Sequence, residues 1–245
     1  MHQLGETRSA SAPNHALYTP ETFVRAPLPG MRRATAIVHT SPRAGAGFLQ
    51  CTVEFEPGGE AGPAASQRFV YVLEGAVTVH AGRKRHSLPA GGYAYLPAGV
   101  GSMRADSGAR AVVIEKAYHP LAGTKAPGPL FGNEESAPAE SLGGDPWLTV
   151  RKLLPDDPAF DFAVNTMAYQ PGASLPMVEI HVMEHGLLML EGGGIYRLDD
   201  QWYPVAAGDF IWMGPYCPQW FGALGKTAAK YLIYKDWNRH PMVTR

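Results

Sequence analysis

With only two cysteines in 245 residues, Cys51 and Cys217, far apart in the chain, there is material for neither a disulfide framework nor a thiolate metal cluster. A reducing cytoplasm is the expected compartment. Charge of one sign is not in excess either, since 22 Asp+Glu stand against 21 Lys+Arg. Without a positive field to gather phosphates, nucleic acid is not an expected partner. No run reaches the roughly 18 apolar residues needed to cross a bilayer, so no membrane association is expected. The opening stretch Met1 to Arg8 mixes a histidine, an acid and a base and lacks the apolar core of a secretion signal, so export is not expected. Helical periodicity is scarce as well. Few stretches before residue 118 place apolar residues at helical spacing over three turns.

What is abundant is turn chemistry: 28 Gly and 22 Pro accompany ordinary apolar content, the mark of a β-protein with short strands. Phe69-Val-Tyr-Val-Leu73, Ala76-Val-Thr-Val79 and Ala111-Val-Val-Ile114 read as strands, being β-branched or aromatic and bounded by Gly, Pro or charge. From His119 to Asp145 the composition shifts to Pro, Gly, Ala, Ser and Glu, and this segment reads as an interdomain linker. The expected layout is an N-terminal arm over 1–30, a first β-domain over 31–118, a linker over 119–145 and a second β-domain over 146–245. Two phrases support a duplication. Val72-Leu-Glu-Gly75 with Gly91 and Met189-Leu-Glu-Gly-Gly193 with Gly208 each set a Leu-Glu-Gly turn 16 residues before a Gly that opens an aromatic-rich strand.

These phrases resemble the cupins, small jelly-roll β-barrels with two metal-binding motifs, so the resemblance implies an all-β chain of two tandem cupin domains. In the C-terminal half the first motif is matched in spacing by Glu179-x-His181, then His185, then Gly192; the second starts at Gly208 and puts Gln219 where a histidine ligand would stand. Glu179, His181, His185 and Gln219 offer oxygen or nitrogen lone pairs, suited to a borderline-hard divalent ion such as Mn(II). Read as a strand, the segment would aim Glu179 and His181 at one face. In the N-terminal half the same spacing falls on Gly62, Ala64, Arg68 and Ser102, so that barrel is expected to be metal-free and structural.

Within the cupins, the stretch Pro171 to His240 resembles the (S)-ureidoglycine aminohydrolase family, through Glu179-Ile-His-Val-Met-Glu-His185, Leu190-Glu-Gly-Gly-Gly-Ile-Tyr196, Gly208-Asp-Phe-Ile-Trp-Met213, Pro218-Gln-Trp220 and Tyr231-Leu-Ile-Tyr-Lys-Asp-Trp-Asn-Arg239. The likeness is looser across the N-terminal half. The resemblance implies Mn(II) on Glu179, His181, His185 and Gln219, a small-molecule substrate set against Tyr196, Tyr231 and Lys235, and release of ammonia from (S)-ureidoglycine to leave (S)-ureidoglycolate. Candidate catalytic residues are Lys235, Tyr231, Tyr196 and Glu179. On a strand Tyr231, Ile233 and Lys235 share a face, so a hydroxyl and an ammonium would project together. Lys235 suits a carboxylate, and either tyrosine could donate a hydrogen bond or shuttle a proton. A homo-oligomer is expected of barrels with open edges.

Other readings compete. His181-Val-Met-Glu184-His185 also fits the inverted zinc-protease signature, which requires a helix; Pro171, Gly172, Pro176 and the Gly-rich turn after Glu191 leave little room for one. A cupin dioxygenase, or another metal-dependent cupin acting on a small carboxylate, remains an alternative that product analysis separates. Cys217 reads as a small buried apolar side chain. The other histidines, His2, His15, His39, His80, His86, His119 and His240, have no partner at ligand spacing and read as structural or exposed.

Overall fold

The computed structural model describes residues 7–239, so His2 and His240 lie outside it. Among the described residues there is no α-helix, only four single-turn 3-10 segments between strands. None is long and apolar enough to cross a membrane. The chain divides into two compact units, each assembled from separated stretches.

The C-terminal unit holds residues 7–23, 138–152 and 162–239. Its larger sheet has eight antiparallel strands in the order Ala10–Ala12, His15–Tyr18, Phe210–Met213, His185–Glu191, Ala229–Asp236, Phe162–Tyr169, Leu148–Lys152 and Ala139–Ser141. A smaller sheet sets Gly193–Leu198 between Gln201–Ala206 and Gln219–Ala223. Because side chains alternate along a strand, Leu187 and Met189, Tyr231 and Ile233, and Met167 and Tyr169 all enter one buried core with Phe221. Each such burial stabilises by roughly 1.5–3 kcal/mol, which fixes the register of the strands that carry the site.

The N-terminal unit holds residues 24–137 and 153–161. Its ten-stranded sheet runs Leu130–Asn133, Gly92–Leu96, Gln67–Glu74, Ala109–Lys116, Leu49–Ala61, Ser102–Ala105, Ala76–Ala81, Lys84–Pro89, with Met31–Thr40 also on Leu49–Ala61 and Arg25–Ala26 on Met31–Thr40. Segment 153–161 is fastened by Asp161, fully buried, whose carboxylate takes Lys116 Nζ at 2.6 Å, Gln67 Nε2 at 2.6 Å and the His119 amide at 2.9 Å.

Three boundaries differ from the sequence reading, the first being that residues 153–161, expected in the second domain, fall in the N-terminal unit. Of the expected arm, residues 7–23 belong to the C-terminal unit and 24–30 to the N-terminal one: His15–Tyr18 pairs with Phe210–Met213, Leu17 enters the core, and Arg8 donates from two guanidinium nitrogens to the buried Asp209 at 2.5 and 2.9 Å. The linker is also structured in part. Leu130–Asn133 pairs with Gly92–Leu96, Phe131 stacks on His86 at 3.6 Å, and Ala139–Ser141 pairs with Leu148–Lys152. Backbone pairing needs no large apolar side chains, so polar composition concealed these strands. The duplication shows in the backbone. Gly75 and Gly192 both take left-handed φ, +71° and +62°, and a Cβ on either would meet a carbonyl oxygen, that of Gly108 at 2.5 Å or Ala228 at 2.4 Å. A register shift precedes each turn, leaving out Leu73 opposite Arg110/Ala111 and Leu190 between Met189 and Glu191.

Candidate metal centre

His185 opens its strand, 2% exposed, on the same face as Leu187 and Met189. Directly across the ladder is Lys235, with Ile233 and Tyr231 following on the same side, as the alternation requires. Glu179 and Gln219 face each other in an isolated antiparallel bridge, each amide donating to the other's carbonyl at 2.8 and 3.0 Å. The expectation of a strand through Glu179 and His181 therefore needs correction: only residue 179 is bridged, and His181 lies on irregular chain whose carbonyl accepts from the Tyr216 amide at 2.8 Å. Pro176 and the turns around it interrupt the ladder, so this bridge, not a strand pleat, brings the two side chains together.

The four side chains do meet. His181 Nε2 is 3.3 Å from His185 Nε2, 2.9 Å from Gln219 Nε2 and 3.9 Å from Glu179 Oε2, and the imidazole rings are edge to face at 4.9 Å. His185 Nδ1 lies 3.1 Å from the Tyr234 carbonyl, so the proton there is held by a carbonyl and Nε2 presents its lone pair inward. Burial, then the fields of His181 and Lys235, lowers the His185 pKa well below the usual range and keeps the ring neutral. Glu179 is the most open of the four, its side chain 38% exposed, and among the described residues no three of His, Cys, Asp and Glu already close around a common point. Tyr216 adopts φ +61°. This is the position where the cupin motif has Gly, and a tyrosine there costs about 1–2 kcal/mol.

Around the quartet, Tyr196 donates to Gln219 Oε1 at 3.3 Å, and the Tyr231 and Tyr169 hydroxyls are 2.6 Å apart. Burial raises the pKa of all three phenols well above the usual value, so they stay protonated. Phe221 touches all three rings, at 4.9 Å from Tyr169, 5.5 Å from Tyr196 and 5.7 Å from Tyr231. Asn165, with its amide oxygen turned to Lys235, accepts from Nζ at 3.1 Å. Tyr169, Phe221 and Asn165 were not singled out from the sequence; their inward positions on paired strands were the available signal.

Glu184 is not a catalytic glutamate of a zinc-protease helix. It is buried on irregular chain, its carboxylate accepts from Trp212 Nε1 at 2.8 Å, and its amide donates to Asp236 at 2.5 Å. Cys217 is buried in the core and burial raises its thiol to about 11, away from the thiolate range. In the N-terminal unit the position equivalent to His185 holds Arg68, paired in register with Glu115 and bonded to it at 2.7 Å. A second guanidinium nitrogen donates to the Gly62 carbonyl at 2.7 Å. A built-in cation thus occupies the place that His185 takes in the other unit.

Comparison with known proteins agrees with this anatomy. The EutQ-like cupin domain family matches residues 43–118 and the cupin domain family matches residues 165–234, which makes the chain a bicupin of two tandem jelly-roll domains. The (S)-ureidoglycine aminohydrolase of Arabidopsis thaliana is 41% identical over 242 residues, 97% of this chain and 80% of that protein. That of Escherichia coli K12 is 33% identical over 236 residues, 92% of this chain and 89% of that one. The crystal structure of the E. coli protein Ylba superposes with a TM-score of 0.85 at 30% identity, covering 97% of both chains. The chain belongs to the (S)-ureidoglycine aminohydrolase family.

Proposed function

We propose that this chain hydrolyses (S)-ureidoglycine to (S)-ureidoglycolate and ammonia, with Mn(II) held by Glu179, His181, His185 and Gln219. The observation that carries the reading is the convergence of those four side chains beside Lys235. The donor set fits a hard to borderline divalent cation: two imidazole nitrogens, a carboxylate, and an amide that would present Oε1. His185 is already neutral with its inner nitrogen turned toward His181, as ligation requires. When bound, the cation supplies positive charge that orients the substrate's anionic groups and makes water a stronger nucleophile.

The chain's own residues do the rest. Lys235 meets the substrate carboxylate as a point charge, with Asn165 holding the ammonium in place. Tyr231 keeps its proton and donates a hydrogen bond to the departing nitrogen, while Tyr196, also protonated, holds the Gln219 amide oxygen in place. As the water oxygen bonds to carbon, the C–N bond breaks with its electron pair on nitrogen. Water loses a proton, Glu179 being the carboxylate within reach, and the nitrogen gains one. The reading places the enzyme in the cytoplasm, in nitrogen recovery from purine breakdown, as a homo-oligomer.

The test is ammonia release from (S)-ureidoglycine above its spontaneous decay, with chiral analysis of the product, by metal-stripped protein before and after Mn(II). Activity restored by Mn(II), giving the S product and lost in Glu179→Ala, supports the reading. Unchanged release in that variant removes the assigned site, and release no faster than spontaneous decay removes the function.

A further inference from the structure

Tyr231 is 1% exposed and Tyr169 is fully buried, yet each carries a hydroxyl that the core must accommodate. Two phenylalanines would fill the same space without the cost of desolvating two polar groups. The paired residues across these strands are Met167 and Tyr231, so Tyr169 reaches Tyr231 on the diagonal, with ring centroids at 5.5 Å and hydroxyls at 2.6 Å. Phe221 meets both rings edge-on and limits their swing. A pair of hydroxyls shares one of its two hydrogens internally. When Tyr169 donates, the Tyr231 hydrogen is free to point elsewhere, and Tyr231 lies on the face that carries Ile233, Lys235 and, across the ladder, His185.

We infer that Tyr169 is a positioning residue for the hydrolytic site, holding the Tyr231 hydroxyl so that its hydrogen is presented to the substrate. Tyr169 acts through Tyr231 and does not itself touch substrate; this rests on the function proposed above. A hydroxyl pair beside a catalytic face, where a Phe pair would pack as well, is the mark of that role.

The test is a double-mutant cycle on the Mn(II)-loaded protein, with kcat, KM, Mn(II) affinity by calorimetry and thermal unfolding measured for Tyr169→Phe, Tyr231→Phe and the double variant. Tyr169→Phe should lower kcat about ten-fold, the scale of one hydrogen bond in the transition state, with KM and Mn(II) affinity within about two-fold. In the Tyr231→Phe background the same change should do nothing further. A Tyr169→Phe kcat within about two-fold of wild type, or losses that multiply in the double variant, overturns the inference and leaves the proposed function standing. Wild-type protein that releases no ammonia overturns both. If Tyr169→Phe folds poorly, the double variant still decides, because it leaves no hydroxyl of the pair unpartnered: a kcat equal to that of Tyr231→Phe supports the inference and a lower one overturns it.

Discussion

Replacing Phe221 by leucine tests how the core positions the site. The side chain is fully buried and meets three tyrosine rings at 4.9, 5.5 and 5.7 Å. Aromatic pairs contribute about 0.5–1.5 kcal/mol each beyond the area they bury, so three give roughly 1.5–4.5 kcal/mol as a ceiling. Tyr169 and Tyr231 also touch each other and leucine retains much of the apolar area, so the expected loss lies low in that range, about 2 kcal/mol. The chain offers a selective reporter, since its five tryptophans, Trp147, Trp202, Trp212, Trp220 and Trp237, all belong to the C-terminal unit. At a urea slope of about 2 kcal/mol/M the midpoint of their fluorescence transition should fall by roughly 1 M. The three tyrosine hydroxyls should lose their placement with it, lowering kcat while Mn(II) affinity holds. Coincident urea midpoints for wild type and Phe221→Leu would refute the idea that this ring organises the tyrosines.

The N-terminal unit should be acid-labile through His39, whose burial lowers its pKa to about 3. The unfolded chain takes up that proton below about pH 6.5 and the folded chain does not, so stability is present above pH 6.5 and is lost as pH falls toward 3, at about 1.4 kcal/mol per unit. Urea unfolding followed by circular dichroism should show the advantage of wild type over His39→Gln shrinking by roughly 2–3 kcal/mol from pH 6 to pH 4, and a constant difference would contradict the assignment. In the C-terminal unit Gly192→Ala should cost clearly more than Gly172→Ala. Both positions have left-handed φ, but a Cβ at 192 meets the Ala228 oxygen at 2.4 Å while one at 172 meets nothing within 4 Å. Equal losses in tryptophan-monitored melts would show that the turn yields to the clash.

Much of this architecture could be read before any coordinates, and the reasons are physical. The Leu-Glu-Gly turns are legible because a left-handed backbone against a carbonyl demands glycine at 75 and 192 alike. The face shared by Tyr231, Ile233 and Lys235 follows from the two-residue period of a strand, and the ladder keeps it. Glu179 and His181 were legible as residues and not as geometry. Their approach to Gln219 comes from one isolated bridge on irregular chain, which no periodicity announces. The arm was hidden for another reason. Arg8 and Asp209 are 201 residues apart in sequence, and nothing local in either segment signals the pairing. Tyr169, Asn165 and Phe221 escaped notice because each looks like ordinary strand alternation until three strands are laid side by side.

The most direct test of the metal assignment is a titration of metal-stripped protein with Mn(II), following bound ion and ammonia release from (S)-ureidoglycine together. The expected result is activity that saturates at one ion per chain and is abolished with that ion in His185→Ala, since Arg68 and Glu115 occupy the equivalent place in the N-terminal unit. Full activity without bound ion, or an ion retained at full affinity by His185→Ala, would contradict a centre built on Glu179, His181, His185 and Gln219.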